Sequence, residues 1–380
     1  MAGPELRIMH IIPNLGKGGA ERLTLDICRE LSLREGLRVM LLVLDEKNEY
    51  KFLSEGLQIQ YCTSYVKSSL SGKSQVDLEH YKGIVAAFKP DIIHSHLFAA
   101  DFFSRELLFQ NVKYFTHCHD NMVQFTRPSL KSFFSKQAMT RLFERHRIFR
   151  QYKKCDNKFI AISEDVKLFL ESNLGAALRK NIIKLPNAID VSRFNKVDRK
   201  APGSGEKMRL INIGSFVEKK NQSFLIDVSG KLKALGISFE LHFIGDGPLR
   251  ERVEMKAVET GLASYVKFHG TQDYVEEFLG DSDIYVHSAL YEPFGLVLVE
   301  AFASGLPVIA LNAGGNSELI REGQNGFLLR GPDPELFAAA ICRLFRDKEL
   351  YSSLSESAKS TASQYDIKLY VDELLKIYFS

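Results

Sequence analysis

The chain has no apolar run approaching the ~18 residues that a membrane-spanning helix requires. Its start meets Glu5 and Arg7 before any apolar stretch develops, so no signal peptide is expected. Cysteine is scarce: Cys28, Cys62, Cys118, Cys155 and Cys342 are odd in number and form no C-x-x-C pair. That excludes a disulfide framework and reads as free thiols in a reducing compartment. No nucleic-acid motif is present, and no Asp-x-Asp metal motif falls in a suitable loop. These absences predict a cytosolic protein with neither bound metal nor nucleic-acid partner.

What is there is an ordinary globular mixture, 45% hydrophobic and 26% charged, which excludes disorder, collagen-like repeats and coiled coil. A chain of 380 residues favours two domains. The net charge of +3 hides an asymmetry, with 32 Lys+Arg against 22 Asp+Glu in residues 1–200 and 18 against 25 in residues 201–380. The basic excess is concentrated in residues 127–154, where nine basic residues face only Glu144. Halves of opposite sign suggest domains that meet different partners.

Short, continuously apolar runs alternate with helical patterns. Strands are expected at Leu6–Ile12, Leu37–Leu44, Asp91–His96, Val112–Thr116, Lys158–Ser163, Met208–Ile213, Phe239–Gly245, Asp283–His287 and Pro307–Leu311. Unbroken apolar runs suit strands buried on both faces of a parallel sheet. Leu23, Ile27 and Leu31, like Phe224, Val228 and Leu232, mark helices between them. The alternation predicts an α/β fold of two Rossmann-like, doubly wound domains facing across a cleft. The first is expected over residues 1–185 and the second over 186–364. A last helical pattern, with Val371, Leu374, Leu375 and Tyr378, is expected to return over 365–380 to the first domain. The polar stretch Asp198 to Lys207 reads as a loop near the junction.

In such sheets ligands collect at the carboxyl ends of the strands. The segment DIYVHSALYEPFGLVLVEAFASGLPVIA, from Asp283 to Ala310, is the most informative. A strand ends near His287, a loop carries Glu292, and a helix begins about Phe294 or Gly295. The first amides there, of Gly295, Leu296 and Val297, suit a phosphate. Glu300 could accept two ribose hydroxyls, and Glu292 is placed to meet what lies beyond a diphosphate. A capped helix with two surface glutamates is the plain alternative. Two histidine pairs, His94/His96 and His117/His119, end strands with each pair sharing a face. A zinc cluster and hydrogen-bonded structural histidines are the two readings, and nothing else in the sequence supports metal. The glycine loop Gly16 to Gly19 reads either as a tight turn or as backbone open to a ligand. The basic stretch Ser129 to Lys154, with Phe134, Ala138, Leu142, Phe149 and Tyr152 at helical spacing, reads as a core-packed helix pair or as a surface for anionic lipid.

Glu292 and Glu300 within EPFGLVLVEAFASGLPVIA resemble the E-x7-E region of the retaining family-four glycosyltransferases, which have the GT-B fold. GKGGAERL, FIAIS, KLPNAID, FIGDGPLRERV, VKFHG and AGGNSELI resemble further stretches of that family in the same order, over nearly the whole chain. The resemblance implies an enzyme that moves a sugar from a nucleotide diphosphate with retention and without metal, UDP-sugar being favoured and GDP-sugar next. The second domain would hold the donor. The first would hold a lipid-linked or surface-polysaccharide acceptor, and the basic segment could meet an anionic membrane surface on the inner face of the plasma membrane. By position, Glu292 would contact the donor sugar, Glu300 the ribose, and the Phe294–Val297 segment the phosphates. His269 and Gly270 would lie beside the base, with Gly18 and Gly19 near the sugar diphosphate. GSFVEKKN resembles the family's G-R-x-x-x-x-K turn, so Lys220 would neutralise the departing diphosphate. Ser215 stands there in place of the arginine, and Lys219 could compensate. THCHD puts His119 at the family's active-site histidine, with His117 as second choice and Asp120 nearby. A nucleotide-sugar epimerase and a non-catalytic nucleotide-binding partner are the rival readings.

Overall fold

The computed structural model describes residues 5–64, 77–127, 135–194, 203 and 206–380. Phe134 and most of the Asp198 to Lys207 stretch lie outside these residues, as do residues 128–134 of the basic segment. The chain divides into two compact units. One comprises Met1–Asn187 and Ile367–Ser380, the other Ala188–Asp366.

The first unit is built on a seven-stranded parallel sheet of β1 (Leu6–Ile12), β2 (Leu37–Val43), β3 (Ile59–Tyr61), β4 (Ile92–His96), β5 (Lys113–Cys118), β6 (Lys158–Ala161) and β7 (Ile182–Lys184), in the order β3-β2-β1-β4-β5-β6-β7. Met9 and Ile11 from one face of β1 pack with Leu42, Tyr81, Ile93 and Phe103 in a core sealed by flanking helices. The final helix, Ile367–Phe379, belongs to this unit. Its Tyr378 hydroxyl meets His94 Nδ1 at 2.5 Å, and the Tyr378 carbonyl accepts from Lys113 Nζ at 2.9 Å.

The second unit repeats the plan with six parallel strands: β8 (Met208–Ile213), β9 (Phe239–Ile244), β10 (Val266–Phe268), β11 (Ile284–His287), β12 (Val308–Leu311) and β13 (Gly326–Leu329), ordered β10-β9-β8-β11-β12-β13. Leu210, Phe243, Val286 and Ile309 pack against Phe224, Val228, Phe337 and Ile341 from the helices. In both units the winding reverses beside the first strand, between β1 and β4 and between β8 and β11. That reversal opens the crevice where doubly wound sheets bind ligands.

Both units are therefore Rossmann-like α/β folds, as the apolar runs imply. Four strands escape the sequence reading. Three of them, β3, β7 and β10, are three-residue edge strands with one or more exposed positions, too short and too wet to form an apolar run. The fourth, β13, is the four-residue GFLL. The basic segment also differs from expectation: Lys136–Cys155 is one helix rather than a pair, and only Ile148 and Tyr152 are buried on it. All five cysteines are free. No helix among the described residues is long and apolar enough to cross a membrane.

Candidate active site

The motif loops of the second unit gather at the carboxyl edge of its sheet because each follows a strand. The turn after β8 and the loop after β11 flank the switch point and are tied together. Leu290 N–H donates to Lys219 O and Ser288 Oγ to Lys220 O, both at 2.8 Å. Lys220 Nζ pairs with Glu292 Oε2, the two side chains being 16% and 12% exposed. His287 Nε2 lies 3.4 Å from the same oxygen, and burial lowers the pKa of its ring. Burial would push the Glu292 carboxyl up, but the Lys220 charge and the His287 ring beside it outweigh that and hold it down at about 2. Glu292 is thus a carboxylate at any ordinary pH. Burial, eased by the hydrogen bond to Ile213 and reinforced by the charges of Glu292 and Glu300, raises Tyr285 well above the usual phenol range.

The helix Leu296–Ala303 starts directly after this pair, with Gly295 as its N-cap at φ 97°. A Cβ there would meet Leu298 Cδ1 at 2.9 Å, and the left-handed backbone itself calls for glycine. Leu298 N–H is taken up by Gly295 O at 2.9 Å, leaving the amides of Leu296 and Val297 ahead of the first intrahelical bond. Glu300 sits in the body of this helix, 4% exposed. Phe294 is buried, with its ring 5.8 Å from that of Tyr365, so its side chain anchors the loop at the helix start.

Glycines from neighbouring loops let these segments close up. A Cβ on Gly315 would stand 2.5 Å from Pro293 O and 2.7 Å from Phe294 Cα, while Gly315 N–H donates to Glu292 O at 2.7 Å. A Cβ on Gly245 would stand 2.2 Å from Gly214 O. The sequence marks these glycines but not their partners, which follow from the order of strands. Ser215 is exposed and brings no charge; Lys219 is exposed as well. His269 is half-buried, its Nε2 3.2 Å from His242 Nδ1 and its backbone N–H on Phe243 O. Burial lowers its pKa, with His242 and Lys267 adding to the shift. Gly270 follows in the left-handed region at φ 67°.

The first unit carries a different cluster at the matching edge. His10, the fifth residue of β1, lies beside His94 of β4 in the sheet register, joining the two predicted pairs into a group of five with His96, His117 and His119. Sequence reasoning missed His10 because nothing in the sequence says that β1 and β4 are neighbours. The rings stack: His94 on His96 at 4.6 Å and 11°, His117 on His119 at 4.1 Å and 14°. His10 Nδ1 is 2.8 Å from His96 Nε2, and His96 Nδ1 is 3.0 Å from His119 Nε2. Burial lowers the pKa of every member, to about 3 for His10 and His119 and well below the normal range for the other three. His119 is 9% exposed and His117 0%. Ring nitrogens of His10, His94 and His96, and of His96, His117 and His119, come within 4.8 Å of one another, which makes these the residues that could hold a metal ion.

Gly18 caps the helix Gly19–Ser32. A Cβ on Gly18 would fall 2.2 Å from Glu21 Oε2, the end of a flexible side chain. The expected site residues thus form two groups in different units. Lys220, Glu292, Phe294 to Val297, Glu300, Ser215, His269 and Gly270 line one sheet edge; His119, Gly18 and Gly19 belong to the other unit.

The model described as "Glycosyl transferases group 1" matches residues 194–361, and "Glycosyltransferase Family 4" matches residues 17–193. The chain is 28% identical over 326 residues to the putative glycosyltransferase EpsF of Bacillus subtilis, covering 81% of this chain and 80% of that one. It is 30% identical over 204 residues to the lipopolysaccharide core biosynthesis glycosyltransferase LpsE of Rhizobium meliloti, covering 53% and 59% respectively. Among solved structures, HepE of Anabaena in complex with UDP and glucose superposes with a TM-score of 0.78 at 20% identity, over 99% of this chain and 100% of that one. At that identity the likeness is one of fold.

Proposed function

The chain belongs to the group 1, family-4 glycosyltransferases, and from that premise we propose a retaining, metal-independent transfer of a sugar from a nucleotide diphosphate, UDP-sugar before GDP-sugar, to a lipid-linked or surface-polysaccharide acceptor. The observation that carries this reading is the Lys220–Glu292 pair beside the free amides of Leu296 and Val297 at the β8/β11 switch point. The diphosphate would lie against those amides and the helix dipole, with Lys220 taking up charge as the bond to the sugar breaks. Glu292, ionised throughout, would hold sugar hydroxyls, Glu300 the ribose, and the His269–Gly270 backbone the base. Ser215 supplies none of the charge that an arginine would, which places the leaving-group burden on Lys220 and the helix amides.

The first unit would be the acceptor side, with His119 the group that meets acceptor or sugar. Support for an anionic acceptor comes from the helix Lys136–Cys155, where exposed Met139 and Phe143 stand among basic residues. A groove of about 510 Å³ beside it is lined by Arg145, His146, Arg150 and Lys153. UDP accompanies HepE and lipopolysaccharide core synthesis is the role named for LpsE; both favour this reading over an epimerase.

The test is a thermal-shift panel with UDP, GDP and ADP in excess EDTA, on the wild type and on Glu292→Gln. A ligand that binds only the folded state must raise its stability. Stabilisation by UDP in EDTA is expected. A response that appears only with added divalent metal would overturn the metal-free reading, and no response to any nucleotide would overturn the donor site.

A further inference from the structure

His10, His96 and His119 form a file, and elementary bookkeeping of imidazole protons constrains it. Both nitrogens of His96 are engaged, Nε2 by His10 Nδ1 at 2.8 Å and Nδ1 by His119 Nε2 at 3.0 Å. A neutral imidazole is a donor at one nitrogen and an acceptor at the other. The file is therefore polar and has only two states. In one, each ring carries its proton on Nε2, leaving the N–H of His10 Nε2 stranded. In the other each carries it on Nδ1, so that the last N–H belongs to His119 Nδ1. Neither His10 Nε2 nor His119 Nδ1 has a partner among the described residues. Both atoms are buried, but His10 is enclosed within the sheet at 0% exposure, whereas the His119 ring is 9% exposed just past the end of β5. A buried N–H without an acceptor is among the rarest of native features, so the proton belongs at the end nearer the surface, where a bound ligand could supply the acceptor.

We infer that His96 and His10 are positioning residues: His10 Nδ1–H donates to His96 Nε2, His96 Nδ1–H donates to His119 Nε2, and His119 is thereby fixed as the Nδ1–H tautomer, a hydrogen-bond donor toward bound sugar or acceptor and not a base. The remaining rings hold the file in place. His94 stacks on His96 at 4.6 Å, lies tilted beside His10 at 4.9 Å, and is itself tied to Tyr378; His117 stacks on His119.

The assignment of His119 to the reaction rests on the function proposed above; the tautomer does not. The test is a long-range proton–nitrogen correlation spectrum of the full chain, labelled with nitrogen-15 in histidine, at pH 7, with His119→Gln to assign the resonance. A protonated Nδ1 and an unprotonated Nε2 on His119 are expected. His10→Leu should erase that bias, and His10→Asn, whose amide nitrogen overlays Nδ1, should restore it. Under turnover, losing one net hydrogen bond lowers kcat about tenfold in His10→Leu at unchanged KM for donor, recovering in His10→Asn. A wild-type His119 protonated at Nε2 overturns the proposal even if His10→Leu fails to fold. So does a His119 tautomer indifferent to position 10, or stoichiometric zinc in untagged protein whose removal shifts these resonances. A chain with no transferase activity but the expected tautomer would sink the proposed function and leave the file standing.

Discussion

Lowering the pH from 7 to 5 should unfold the first unit through its buried histidines. An unfolded histidine protonates near pH 6.5, whereas His10 and His119 stay neutral in the fold down to about 3, and His94, His96 and His117 are shifted the same way by burial. The unfolded state therefore binds more protons below pH 6.5. Stability contributed by these groups is fully present above that value and is lost as pH falls toward the folded pKa. His10 and His119 each cost about 2 kcal/mol between pH 7 and pH 5. The other three act in the same direction, against the roughly 5–15 kcal/mol that holds a domain folded. The assay is thermal or urea unfolding followed by ellipticity at pH 7, 6 and 5, because the chain has no tryptophan for fluorescence. His117→Phe is the sharpest variant. Among the described residues no well-aligned hydrogen bond reaches either ring nitrogen of His117, and Asn187 is the one polar side chain outside the histidine group acting on it, so the change removes a linked proton at little cost in hydrogen bonding while the aromatic stack persists. It should flatten the pH slope and leave the variant more stable than wild type at pH 5, relative to pH 7. A wild-type stability that does not change between pH 7 and 5 would refute the reasoning, as would an identical slope in His117→Phe.

On the donor side, Glu300→Ala should weaken UDP binding by about 1.5–3 kcal/mol, the range for hydrogen bonds to a charged group; unchanged affinity by calorimetry would move the ribose elsewhere. Lys220→Ala leaves Glu292 buried beside His287 without its cation, and should cut turnover roughly 10²–10³-fold, as the loss of one preorganised charge does. Near wild-type turnover would transfer the role to Lys219 or the helix amides. Gly315→Ala drives a methyl into the Pro293 carbonyl and Phe294 backbone. It should weaken nucleotide binding through the displaced loop, and unaltered binding would show that the loop has slack.

The sequence disclosed what depends on local pattern and hid what depends on neighbours. The central strands β1, β2, β8 and β9 are six- or seven-residue runs with mostly buried positions, so hydrophobicity alone marks them. The edge strands β3, β7 and β10 lack that signal because half-exposed residues need not be apolar. Lys220 and Glu292 could be named from motif resemblance, yet their pairing follows from β8 lying beside β11. His10 shows the same division more sharply. Alone in β1 it is an unremarked residue, and only the β1–β4 register makes it the root of the histidine file. Phe294 is a further case: its place in the motif is legible in the sequence, but the packing of its ring against Tyr365 is not.

The two switch points are furnished in opposite ways, and this fixes what acid does to the protein. Beside β8 and β11 stands an ion pair whose carboxylate stays charged down to about pH 2. Beside β1 and β4 stands a group of neutral rings that remain neutral in the fold to about pH 3 at His10 and His119. Neither set changes charge in the native state between pH 7 and pH 5, so no ionisation of these groups should shape a pH–rate profile in that window. Loss of activity there should instead follow the unfolded fraction, because only the unfolded chain takes up the histidine protons. Turnover and ellipticity measured on the same samples should fall together, and both should move to lower pH in His117→Phe if that variant remains active. An activity loss centred near pH 6 in protein that remains fully folded would mean that one of these groups, or another in the site, titrates in the native state. His119 would then be the first to re-examine, since it is the one member of the file at the edge of the sheet.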